Sequence, residues 1–120
     1  MSLVLTRKPA ILLENDDDYR KIIFEGKTIT KSLFDGVENC AEFTKVTIPE
    51  NVEGVTGDAF EDFANLQEAE IWGYVYEVKR SLGGCVTLDV NWEKPTVLAE
   101  HLRSGSYVEI KRERGWRDWN

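Results

Sequence analysis

Apolar residues recur at a regular beat through "KIIFEGKTIT" and "CAEFTKVTIPENVEGVTGDAFEDFANLQEAEIWG". A shift of 23 residues sets Val37 on Phe60, Cys40 on Phe63, Phe43 on Leu66, Val46 on Ala69 and Ile48 on Ile71. Asp35, Glu38 and Ala41 fall on Asp58, Glu61 and Ala64, and upstream Ile29 falls on Val52. The closing apolar–variable–apolar step alternates as a short strand does, with every second side chain inward. Ile22 and Phe24 stand 24 residues ahead of Val46 and Ile48 and supply an earlier copy. The pattern therefore predicts Phe24, Ile48 and Ile71 as successive layers of one coil.

Outside residues 19–73 the beat is lost. "LVLTRKPAILLENDDDYRK" reads as one or two strands with an acidic turn at Asp16 to Asp18, which makes residues 1–18 an N-terminal cap. "CVTLDVNW" and "SYVEIKR" read as further strands. Between them "KPTVLAEHLRSG" carries a proline at a first helical position, Pro95, and a glycine just past the end, Gly105. Val97, Leu98, His101 and Leu102 then share one face of a short amphipathic helix. Residues 74–120 thus form further strands, a helix and a C-terminal cap of a single domain spanning 1–120.

Periods of roughly 20 to 29 residues with one strand per unit mark leucine-rich-type solenoids, in which neighbouring turns of chain cover one another's apolar residues. The stretch from Val46 to Ile71 resembles the leucine-rich repeats of the BspA type. Val46, Ile48 and Pro49 match that family's first element, Val52 and Val55 its second, and Ala59 with Phe60 its third. Phe63, Leu66, Ala69 and Ile71 complete the unit. In the preceding unit Leu33-Phe34 is displaced by three residues, and Trp72 stands where proline is usual. The resemblance implies a mainly β fold with short helices: a small leucine-rich-repeat-like β solenoid, capped at both ends.

Composition narrows the class. An apolar content of 42% and an aromatic content of 11% suit one globular domain of 120 residues. No apolar run could span a bilayer, and "MSLVLTRKPAILL" lacks the continuous apolar region of a signal peptide, so a cytoplasmic location is expected. The net charge of −7 is uneven. Residues 1–34 carry +1, residues 35–77 carry −10 with Lys45 their one cation, and residues 78–120 carry +2. Such a middle third either repels phosphate backbones and steers basic partners, or serves as a solvated surface that maintains solubility.

Catalytic and metal chemistry find little support. His101 is the only histidine, which excludes a two-histidine metal site; on a helix's inner side it reads as a packed residue. Cys40 and Cys85 form no CxxC and are expected as free thiols, Cys40 buried. "GDAF" and "LGGC" lack the lysine and further glycines of phosphate loops. Asp16 to Asp18 lack the glycine and terminal glutamate of a calcium loop. The expectation is a non-enzyme without cofactor or metal.

Two stretches suit recognition. Glu50, Glu53, Glu61, Asp62, Glu68 and Glu70, running into Trp72, Tyr74 and Tyr76, combine carboxylates for steering with aromatic contact area, and Trp72 is the expected anchor. The tail "KRERGWRDWN" interleaves Arg112, Arg114 and Arg117 with Trp116 and Trp119. That suits either nucleic-acid stacking or tryptophans folded back beneath arginines. Residues 3–9, "LVLTRKP", and 83–95, "GGCVTLDVNWEKP", are also similar to the carbon storage regulator family of RNA-binding proteins. That resemblance implies a role for Arg7 on RNA, but Leu98 to His101 replace the family's second RNA-gripping element. The leading expectation is a non-catalytic protein-binding module, an acidic inhibitor or immunity protein of bacterial or phage type that neutralises a basic partner. The alternative is an RNA-binding regulator.

Overall fold

The computed structural model describes residues 1–7, 19–82 and 86–112. Along the chain it places β1 (Ser2–Thr6), β2 (Tyr19–Ile23), β3 (Thr28–Ile29), β4 (Lys45–Ile48), β5 (Gly54–Val55), β6 (Glu68–Ile71), β7 (Glu77–Leu82), β8 (Val86–Asp89), α1 (Pro95–Leu102) and β9 (Tyr107–Lys111). Short 3-10 turns at Lys31–Phe34 and Cys40–Glu42 lead from β3 into β4. One sheet has four strands in the order β2-β1-β4-β6, all parallel. The other has five in the order β3-β5-β9-β7-β8, antiparallel except where β3 meets β5.

Among the described residues the architecture is α/β with two sheets and one helix, which overturns the β solenoid. A coil needs chain-successive strands as neighbouring layers. Here β1 lies between β2 and β4, pairing Leu3 with Arg20 on one side and with Val46 on the other. Ile48 and Ile71 are partners in adjacent parallel strands. Phe24 belongs elsewhere: its N–H donates to the Thr6 carbonyl of β1 at 2.9 Å. The physical reason lies in "LVL". Leu3, Val4 and Leu5 are all fully buried, an all-apolar run of the kind found in parallel strands, and β1 has a strand paired on each side. What reads as a cap is the sheet's centre. After Ile71 the chain leaves for the second sheet, which no repeat could generate.

One core joins both sheets and the helix. Leu3, Leu5, Val46, Ile48 and Ala69 belong to the same buried cluster as Ile29, Val55, Val78, Val108 and Ile110 and as Leu98, Ala99 and Leu102 of the helix. Each of these Leu, Ile and Val side chains gains about 1.5–3 kcal/mol on burial before chain entropy is counted. Pro95 fixes the first turn of α1, Gly105 follows its end at φ +82°, and the helix packs on β6 and β9. Beneath the turns that lead into β4 and β6, four phenylalanines pack together: Phe34, Phe43, Phe60 and Phe63, with ring centroids 4.9–6.0 Å apart.

Candidate functional site

In open parallel sheets, ligands favour the crevice beyond the carboxyl ends of the strands, where neighbouring connections diverge. Here that place lies between β1, whose next strand is β2 on one side, and β4 on the other. Arg7 follows β1 and Glu50 follows β4, and their side chains meet at 3.0 Å across it. Glu50 also abuts Gly73. The glycine sits at φ +87°, and a Cβ there would come 2.6 Å from the Glu50 Cβ. The position admits no larger residue without strain.

Arg112, at the end of β9, organises this region. Its Nε donates to the Val52 carbonyl at 2.6 Å and its Nη2 to the Pro49 carbonyl at 2.9 Å. Its Nη1 donates to Trp72 and Tyr74 at 2.7 and 3.2 Å. Burial holds the guanidinium below the usual arginine value, opposed by the charges of Glu50 and Glu53. The loop from Trp72 to Tyr76 has further ties. The Trp72 N–H donates to Ile48 at 2.8 Å, and the Tyr76 N–H donates to Lys111 at 2.7 Å. Trp72, the expected anchor, is half-buried. Tyr74 and Tyr76 are the exposed aromatics of this loop, at 53% and 52%.

The eight expected binding residues therefore divide. Glu50, Glu53, Trp72 and Tyr74 gather around Arg112. Glu61 and Asp62 lie on the opposite side, in the turns before β6, where Lys31 bonds to Glu61 and approaches Asp62 at 3.9 Å. These carboxylates hold the Lys31 ammonium above its usual value. Asp58 is exposed in the same turns, and Asp35, Glu38 and Glu42 are exposed in the turns before β4. This ledge, seated on the phenylalanine cluster, holds much of the acidic charge. Glu68 and Glu70 form a third patch on the outward side of β6, with Glu70 3.3 Å from Lys45.

Arg112 is the residue whose role the tail motif does not reveal; Arg114, Trp116, Arg117 and Trp119 lie outside the described residues, as does Cys85. Beside the loop a cleft of about 430 Å³ is lined by Lys27, Glu53, Tyr107, Glu109, Lys111 and Arg112. Its nearly balanced charges single out no ligand class. Cys40 is half-buried rather than buried, and burial together with Asp62 raises its thiol, the opposite of an activated nucleophile. Among the described residues no His, Cys, Asp and Glu side chains gather in a group able to hold a metal ion, and no helix is long and apolar enough to cross a membrane. The two segments similar to carbon storage regulators fall in different sheets, β1 in the parallel one and β8 in the other.

No family model, curated protein or solved structure matches this chain.

Proposed function

We propose that this chain is a non-catalytic protein-binding module that docks a basic partner protein through the loop from Trp72 to Tyr76 and neutralises it by covering its surface. The supporting observation is the half-exposed pair Tyr74 and Tyr76 on a backbone held at Trp72, Tyr74 and Tyr76 by separate hydrogen bonds. Tyrosines fixed before binding offer large contact area at little entropic cost, and such residues dominate interface energies. The acidic ledge and the net charge of −7 steer a cationic partner over a range set by salt, about 8 Å at physiological ionic strength. The acidic ledge and the tyrosines lie beyond opposite ends of β6, roughly 13 Å of strand. An RNA-binding role would require Arg7 to leave Glu50.

The immobilised chain, exposed to lysate at low and high salt, should retain a basic protein whose association slows as salt rises. Replacing Tyr74 and Tyr76 together by alanine should weaken that complex by about 30-fold or more, since interface hot spots are worth about 2 kcal/mol or above. Retention of RNA alone, or a complex indifferent to the double substitution, would refute the reading.

A further inference from the structure

The geometry points to Arg112 as the positioning residue of the docking loop: it fixes how Tyr74 and Tyr76 are presented and gives no charge to the partner. This rests on the reading of that loop as the docking surface. All three guanidinium nitrogens donate to backbone carbonyls, four in all: Pro49 and Val52 from the turn after β4, Trp72 and Tyr74 from the loop after β6. The two segments are brought together through one side chain from a third strand. A carbonyl has no sequence-specific chemistry, so what Arg112 recognises is the path of the chain.

Only a planar fork serves these acceptors. The Nε and the two terminal nitrogens point in three fixed directions, and the four distances fall between 2.6 and 3.2 Å. A lysine keeps the charge but has one nitrogen with three donors, and cannot reach acceptors spread over both segments. The half-buried guanidinium is compensated from within the chain by Glu50 and Glu53. An interleaved Arg/Trp tail suggests stacking on nucleic acid; at Arg112 the donors are turned inward instead.

The test is Arg112→Lys in the full chain, read by affinity for the basic protein that the immobilised chain retains, by the salt dependence of that affinity and by backbone amide exchange. Affinity should fall about tenfold with the salt dependence unchanged. Exchange should quicken at Trp72 and Tyr76, whose N–H groups bond within the loop's anchor points, and stay slow at Val46 and Val108. In the background of Tyr74→Ala with Tyr76→Ala, the lysine substitution should cost no further affinity, because Arg112 acts through those rings. Wild-type affinity in Arg112→Lys, or additive losses in the triple variant, would overturn the assignment. If the lysine variant does not fold, exchange in the wild-type protein decides: Trp72 and Tyr76 amides protected like those of β9 support it, and rapid exchange there overturns it. Should the tyrosine double variant bind normally, the docking loop itself fails; should it lose binding while Arg112→Lys does not, only the positioning role fails.

Discussion

Arg7 and Glu50 close the gap between the carboxyl ends of β1 and β4 with an ion pair of 3.0 Å, and both side chains remain substantially exposed, at 49% and 34%. Exposed pairs gain little in high dielectric and lose side-chain entropy, so their net worth is about 0–1 kcal/mol. Arg7→Ala should therefore lower stability by less than about 1 kcal/mol in a urea titration. The loss should shrink further at high salt. A loss of several kcal/mol would mean that the pair is far better shielded from water than its exposure indicates.

Phe63 governs the ledge. It is fully buried and meets Phe34 edge-on at 4.9 Å, Phe60 edge-on at 5.1 Å and Phe43 at 6.0 Å. Phe63→Ala should cost about 3–5 kcal/mol, the lost transfer energy plus the cavity the three remaining rings cannot fill. Because the turns bearing Asp35, Asp58, Glu61 and Asp62 rest on these rings, partner association should also slow. Denaturant unfolding gives the first quantity and stopped-flow binding the second. A cost below about 1 kcal/mol would show that the cluster repacks freely.

Parts of this were legible in the residues. The alternation in Val46 and Ile48, and in Ala69 and Ile71, marks two strands; Val46, Ile48 and Ala69 are buried, and so is Thr47, which the alternation places outward. The 23-residue spacing between them reflects a real in-register pairing. The neighbour of β4 on its other side was not legible, because pairing between distant strands leaves no period. The clue available was "LVL", apolar on both faces, which suits a central parallel strand better than a cap. The expected acidic–aromatic face divides for a simple reason. Glu61 and Asp62 precede β6 and Tyr74 follows it, and a strand carries its two ends apart however close they are in sequence. Arg112 was hidden because its acceptors are carbonyls, which every residue has.

Gly73 and Gly54 are both crowded, but they should respond differently to alanine. At Gly54 a Cβ would land on the Tyr107 hydroxyl, the far end of a side chain that is 39% exposed and free to swing outward. At Gly73 the obstruction is the Glu50 Cβ and backbone, and φ is +87°. A left-handed conformation costs an L residue about 1–2 kcal/mol even without crowding. Gly73→Ala should thus destabilise by about 1–3 kcal/mol and disturb the amide signals of Trp72 to Tyr76. Gly54→Ala should cost less and move chiefly Tyr107. Equal costs at the two sites would show that Tyr107 is fixed against β5.

His101 supplies a pH dependence with a definite sign. Burial, with help from the positive charge of Arg80, holds its imidazole below the usual histidine value of 6.5, against a smaller opposing pull from Glu100. The unfolded chain therefore binds a proton more readily than the folded one between the folded value and 6.5. Folding gains stability as pH rises through that window, and the contribution is fully present above the unfolded value and lost as pH falls toward the folded one. His101→Gln should flatten the rise in unfolding free energy between pH 5 and pH 7 while leaving the curve above pH 7 parallel to wild type. Urea midpoints measured at intervals across that range give the slope. A steeper rise in the variant would mean that the folded state favours the imidazolium, and that the Glu100 carboxylate outweighs both burial and Arg80.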